Sequence, residues 1–192
     1  IYNAAADDFT VIYSNPSEPE SLSQQSVRCI FKDSQGGMWL GTFFGGANYY
    51  HSLKMRFRNI RHIPHSNSLS GNVVSCIVED SDGTLWIGTN DGGVNHYDPQ
   101  TEKFAYYMNG SRKEGVESND IKAIHIDKSR NQVFIGAHAG GLNILDRETG
   151  RITFCPDPGN GGAVADVYAI LPRDAGSLWI GTLNGLFIYN IR

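Results

Sequence analysis

The residues of this chain best able to do chemistry are six histidines, three cysteines and the acidic clusters of its turns. A helical zinc site needs histidines about one turn apart, as in His-Glu-x-x-His, and His51, His62, His65, His96, His125 and His138 show no such motif. His62 and His65 are three apart, but Pro64 between them opposes a helix. Of the six, His138 is the one expected in a loop that could meet a ligand. Cys29, Cys76 and Cys155 form no Cys-x-x-Cys pair and are too few for a disulfide scaffold. Asp80-Ser81-Asp82-Gly83 opens like a calcium loop, yet no late glutamate follows at the spacing such a loop requires. Its counterparts read Asp33-Ser34-Gln35-Gly36 and Asp127-Lys128-Ser129-Arg130, so a turn is expected instead. No Gly-x-Ser-x-Gly occurs, and the acidic residues sit mostly in turns. The expectation is a non-catalytic region with no metal and no cofactor.

The elements that must position these residues come from a repeat, which dominates the sequence. Four segments align: Met38-Trp39-Leu40-Gly41-Thr42, Leu85-Trp86-Ile87-Gly88-Thr89, Val133-Phe134-Ile135-Gly136-Ala137 and Leu178-Trp179-Ile180-Gly181-Thr182. Their aromatic positions are separated by 47, 48 and 45 residues. A Gly-Gly element follows three of them, at Gly45-Gly46, Gly92-Gly93 and Gly140-Gly141, and shortens to Gly185 in the fourth. Another element precedes each, at 27–31, 74–78, 122–126 and 168–171. A last one follows at constant distance, Tyr50 to Phe57, Tyr97 to Phe104 and Leu145 to Ile152 each spanning seven residues. Each repeat therefore predicts four short strands, A to D.

Strand B is apolar at consecutive positions, so both of its faces must be buried. Four-stranded sheets stacked around an axis, with a repeat of about 40–50 residues, meet that demand as a β-propeller. The predicted fold is all-β, a propeller of about four four-stranded blades that is part of a larger propeller. The repeats fall at 21–67, 68–115, 116–162 and 163–192, with 1–20 supplying a C/D strand remnant. The glycine after Trp-Ile predicts a close backbone approach, and the Gly-Gly pair a positive φ at the B–C turn. Cys29 and Cys76 share their repeat position with Ala123 and Ala169, which asks for a small side chain near the axis rather than thiol chemistry.

Net charge is −4 and the longest basic stretch is 54–58, with Arg56 and Arg58 alternating as on one outward strand face. Nucleic acid is not an expected partner. No run of eighteen apolar residues exists, so membrane contact by this region is not expected either.

The run from Val74 to Asp98, VSCIVEDSDGTLWIGTNDGGVNHYD, resembles the two-component regulator propeller repeat, and the likeness extends in four copies over nearly the whole chain. Copy three has Phe134 for Trp and Ala137 for Thr, and copy four loses one glycine and the asparagine. The resemblance implies the periplasmic sensor region of a hybrid histidine kinase of Bacteroidetes type, responding to glycans. It also implies that membrane, kinase and regulator parts lie elsewhere, and that the partners are an oligosaccharide and further propeller repeats or a second copy of the chain. A self-contained propeller enzyme such as a polysaccharide lyase is the alternative.

In such an architecture the D–A connectors and B–C loops share one face. Gln24, Gln25, Asn72, Asn119, Asp120 and Asp166 are expected there, and Phe43, Phe44, Asn90, Asp91, His138 and Asn184 are the predicted ligand contacts. Amides, carboxylates and aromatic rings suit sugar hydroxyls and sugar faces. At the ends, Ile1-Tyr2-Asn3 repeats Ile188-Tyr189-Asn190, and Tyr2 to Phe9 again spans seven residues. A D strand is expected from Phe9 to Tyr13. Closure of a ring by this strand, exchange with a second copy, or an open arc could follow, closure being expected for the isolated fragment.

Overall fold

The computed structural model describes residues 2–4, 6–9, 11–18, 20–51, 57–110, 115–155 and 166–191, and the regular elements within them are all β-strands. A short hairpin of β1 (Tyr2–Asn3) and β2 (Asp8–Phe9) comes first. Blade 1 contains β3 (Val27–Lys32), β4 (Met38–Thr42), β5 (Ala47–Tyr50) and β6 (Phe57–Ile60). Blade 2 contains β7 (Val74–Glu79), β8 (Leu85–Thr89), β9 (Val94–Asp98) and β10 (Lys103–Tyr107). Blade 3 contains β11 (Ile121–Asp127), β12 (Gln132–Ala137), β13 (Gly141–Asp146) and β14 (Ile152–Cys155). Blade 4 has three strands among the described residues, β15 (Val167–Asp174), β16 (Ser177–Thr182) and β17 (Gly185–Asn190). Each sheet is an antiparallel meander. The predicted propeller blades are present.

The seven-residue spacing is a cross-strand pair. Tyr50 lies opposite Phe57, Tyr97 opposite Phe104, Leu145 opposite Ile152, and Tyr2 opposite Phe9. The N-terminal hairpin therefore is a C/D remnant, though its D strand ends at Phe9 instead of running to Tyr13. It does not close a four-bladed ring either, because β2 is paired with β1 and the last sheet ends at β17. The register explains this: the remnant's D strand pairs with its own C strand, as in every other copy. Arg58 is exposed on β6, while Arg56 lies outside the described residues.

The cores lie between blades. Trp39, Val74, Ile77, Leu85 and Tyr97 join blades 1 and 2; Trp86, Ile121, Ile124, Val133 and Leu145 join blades 2 and 3; Phe134, Val167, Ile170, Leu178 and Ile180 join blades 3 and 4. The strand-B glycine sets how closely the sheets approach. A Cβ on Gly88 would sit 2.6 Å from the Cys76 sulfur and 2.7 Å from Ile121 Cγ2, and one on Gly136 would sit 2.5 Å from Val167 Cγ1. Gly41 meets Val74 of blade 2 in the same way, at 2.6 Å. The B–C turns then tie neighbours together. Gly93, at φ +71°, donates its N–H to the carbonyl of Asn119 in the next connector, and Gly46 donates to Asn72.

A buried asparagine on strand C holds each connector from the other side. Asn48 accepts the Ser23 N–H at 2.8 Å and donates to its hydroxyl at 2.8 Å, and Asn95 repeats both bonds with Ser70 at 2.8 and 2.7 Å. In the third copy Asn143 accepts the Glu117 N–H at 3.0 Å.

Trp39, Trp86 and Phe134 are buried between sheets, as their repeat position predicts. Trp179 differs and is half-buried, because its face of blade 4 has no following blade in the described chain. Leu171, Leu186 and Ile188 share that bare face, and the Arg173 guanidinium lies 5.4 Å from the Trp179 ring. Replacing Trp86 with alanine should cost about 3–5 kcal/mol, the range for a buried aromatic, and Trp179→Ala clearly less. Urea unfolding of both variants measures this, and equal losses would contradict the assignment of the two faces.

His96 stacks on Trp86 with centroids 4.3 Å apart, its Nε2 2.7 Å from the Thr84 hydroxyl. Burial holds its pKa below the ordinary 6.5, and burial does the same for His125. The unfolded chain then binds more protons as pH falls. Stability from these two rings is complete above about pH 6.5 and is lost as pH drops through that value toward the lowered folded-state values. Asp82 and Asp127, lowered from 3.8, lose their contributions only at more acidic pH. Urea midpoints should therefore fall between about pH 7.5 and pH 5.5, and less in a His96→Tyr, His125→Val variant carrying the residues of sister repeats. An undiminished loss in that variant would assign the effect to other groups.

Candidate ligand-binding site at the mouth of the inner strands

Every inner strand carries the same irregularity. The pairing register jumps between Val27 and Cys29, Val74 and Cys76, Ile121 and Ala123, and Val167 and Ala169. A bulge there inserts one residue and re-aims its side chain out of the strict alternation. The inserted residues are Arg28, Ser75, Lys122 and Tyr168. Together with Val73, Val74 and Asn90 they line a recess of about 260 Å³. One bulge per blade thus brings four different side chains to a common space.

Its groups are well suited to binding. The Arg28 guanidinium lies 4.4 Å from the centre of the Phe43 ring, a cation–π contact that keeps the charge at the recess. Lys122 Nζ is 2.7 Å from Asp120 Oδ1. The Ser75 hydroxyl is committed to the backbone, donating toward the carbonyls of Ile121 (2.5 Å) and Gly88 (3.1 Å). Tyr168 is partly exposed, with its hydroxyl 3.3 Å from His138 Nδ1. That same nitrogen is 2.5 Å from Asp166 Oδ1, which also accepts the Ala139 N–H at 2.9 Å.

The six predicted contacts divide. Asn90 lines the recess, and its N–H donates to the Val73 carbonyl at 3.0 Å. Phe43 stands beside it under Arg28, and His138 meets Tyr168 and Asp166. Phe44 is 65% exposed and packs edge-on against Phe43 at 4.3 Å, beyond the lining. Asp91 is exposed and its carboxylate lies over Gly71, while Asn184 sits in the exposed B–C hairpin of blade 4, donating its N–H to Thr182. Neither lines the recess.

Several connector residues serve the backbone. Asn72 accepts the His62 N–H at 2.8 Å, and Asn119 accepts the Asn109 N–H at 2.7 Å. Asp82 bonds the Thr84 N–H and hydroxyl within its own turn, and Asp80 is buried in an ion pair with Arg147 at 2.6 Å. Burial pushes the Cys29 thiol up to about 11 and the Cys76 thiol up to about 12, which suits packing and not nucleophilic chemistry. Among the described residues, no group of three or more His, Cys, Asp or Glu could hold a metal ion.

Sequence reasoning passed over Arg28, Lys122 and Tyr168. Their signal was available: each immediately precedes the small residue (Cys29, Ala123, Ala169) that the repeat places near the axis. This repeat position changes from arginine to serine, lysine and tyrosine while the residues on either side of it stay β-branched (Val27, Val74, Ile121, Val167) and small (Cys29, Cys76, Ala123, Ala169).

Residues 21–44 and 68–91 match the family model described as the two component regulator propeller. These two stretches, a quarter of the chain, are similar to the two component regulator propeller repeat. The matched stretches run from the connector through strands A and B of blades 1 and 2 into the B–C loop. The extracellular domain of the hybrid two component system BT3049 of B. thetaiotaomicron is similar to the chain at 26% identity and TM-score 0.83. The match covers 96% of this chain and 25% of that one. The extracellular domain of the BT4673 system of the same organism matches at 23% identity and TM-score 0.70, over 86% and 24% of the two chains. A computationally designed protein, Ika8, matches at 20% identity and TM-score 0.60, over 91% and 48%. The last two bear on the fold alone. No curated protein matches. The chain spans about a quarter of the length of the extracellular domains it resembles.

Proposed function

We propose that this chain is a ligand-sensing propeller region from the extracytoplasmic, periplasmic part of a two component sensor, and that its ligand is an oligosaccharide bound at the recess. The observation that carries the reading is the set of bulges that turns one side chain from each of four blades into one space. The similar extracellular domain of a hybrid two component system supports the setting. Tyr168 offers a flat apolar face, Asn90 a paired donor and acceptor, and Arg28 and Lys122 a place for a carboxylate or sulfate on the sugar. Phe44 extends the apolar surface outward from Phe43. The region binds and does not catalyse, and transmission of the signal belongs to other parts of a longer protein. Further propeller repeats or a second copy would cover the bare faces of blades 1 and 4, where Ile30 and Leu171 are exposed.

Isothermal titration with a panel of neutral and acidic oligosaccharides tests the reading. For the sugar that binds, Arg28→Ala or Tyr168→Ala should each weaken affinity by about 1 kcal/mol or more, roughly fivefold, and Phe44→Ala less. Asp82→Ala, at the opposite end of the blade, should leave affinity unchanged. Loss of affinity in Asp82→Ala alone would move the site to the other end of the blades.

A further inference from the structure

At the A–B turn end, remote from the recess, blades 1 and 2 leave a groove of about 200 Å³ lined by Asp33, Trp39, Tyr49, Glu79, Asp82 and Tyr97, among others. The repeat supplies an internal comparison for it. In blade 1 the Trp39 indole N–H donates to Asp33 Oδ2 at 3.0 Å, and in blade 2 the Trp86 N–H donates to Asp80 Oδ2 at 3.4 Å. The groove between blades 2 and 3 is filled by the chain itself. Arg147, just past strand C of blade 3, places Nη2 2.6 Å from Asp80 Oδ2 and its guanidinium carbon 6.0 Å from the Trp86 ring centre.

Aligning Leu145-Asp146-Arg147 with Tyr97-Asp98-Pro99 puts Pro99 where Arg147 would be. The groove between blades 1 and 2 thus keeps the carboxylate and the indole but, among the described residues, has no guanidinium paired with this carboxylate. Three rings frame the space at differing angles. Trp39 and Tyr49 have centroids 4.7 Å apart at 46°, and Trp39 and Tyr97 6.3 Å apart at 71°. Trp39 and Tyr97 are 5% and 2% exposed, so the surface they leave on the groove is small and dry, and aromatic surface beside a carboxylate is a setting that takes a desolvated cation. The nearby acids Glu79 and Asp82 add to the field, and the cation on the wall, Arg58, is 2.8 Å from Glu102. The Asp33 carboxylate also accepts the Gln35 N–H at 3.0 Å and the Gly37 N–H at 2.6 Å, and the Tyr49 phenol is held above its ordinary pKa, first by burial and then by the charge of Asp33.

We propose that the groove between blades 1 and 2 binds a guanidinium group, an arginine side chain of a polypeptide or a free arginine derivative, in the place that Arg147 occupies one groove further on. This site is independent of sugar binding at the recess and could stand if that reading failed. Two-dimensional NMR of the indole N–H signals tests it, with N-acetyl-arginine amide as probe. Saturable movement of the Trp39 signal at roughly millimolar probe is expected, with the Trp86 signal still. N-acetyl-citrulline amide, which keeps the shape and loses the charge, should give no saturable shift. Asp33→Asn should weaken binding at least tenfold while the Trp86 and Trp179 signals certify the fold. Pro99→Arg should abolish binding by filling the groove from within and move the Trp39 signal as the probe does. A peptide with one arginine binding more tightly than the amide would identify a polypeptide source, and equal affinity a free solute. Absence of a saturable shift, an equal response to citrulline, or undiminished binding in Asp33→Asn would overturn the proposal.

Discussion

The spacing between blades rests on one contact, a β-branched side chain of each inner strand seated on the bare Cα of the preceding blade's strand-B glycine. Val74 meets Gly41, Ile121 meets Gly88 and Val167 meets Gly136, each within distances that leave no room for a methyl group. Interiors packed at crystal-like density do not absorb an added carbon without displacing a neighbour, and no flexible chain end is available here to yield. The contact lies one residue before each bulge. It therefore fixes where the bulges stand relative to one another, and through them the recess. The geometry of the recess is a consequence of packing in the same strands.

The remaining interactions act on this frame. Trp39, Trp86 and Phe134, two residues before the glycine, fill the outer, wider part of the wedge between blades, and a turn carboxylate anchors the indole N–H of Trp39 and Trp86. Phe134 has no such donor, and the third copy accordingly uses Asp127 differently, bonding its own turn and pairing with Arg130 at 2.9 Å. Buried Asn48, Asn95 and Asn143 satisfy connector backbone that would otherwise lose hydrogen bonds on leaving water. Burying an amide is favourable here because its oxygen finds a backbone N–H and its nitrogen an oxygen acceptor, which leaves little desolvation uncompensated.

Much of this was legible in the sequence because it is periodic. Consecutive apolar residues around Trp86 required two buried faces, the seven-residue spacing from Tyr97 to Phe104 set a hairpin register, and the glycine after Ile87 announced a close approach. The half-buried state of Trp179 was not legible from its repeat position, since burial there depends on the sheet that follows. The bulges were hidden for a different reason. Alternation predicts where side chains point only if the register is unbroken, and Arg28, Lys122 and Tyr168 sit where it breaks. Phe44 and Asp91 were attractive by type and loop position, but loop position says nothing about whether a side chain turns toward the recess or away from it.

The two ends of the blades assemble sites by different rules. At the inner-strand mouth every blade contributes one residue to a shared space, so a substitution in any repeat changes the same site and the repeat position can vary freely without loss of packing. At the outer wedge each groove belongs to two blades alone, and one substitution, proline for arginine at the end of strand C, separates a groove sealed from within from one left open. A repeat that conserves its glycine and its indole anchor can therefore diversify at both ends independently. The recess and the open groove both lie where the four copies disagree, at Arg28, Ser75, Lys122 and Tyr168 and at Pro99 against Arg147, whereas the closest contacts between blades fall where they agree, at the strand-B glycine and the β-branched residue seated on it.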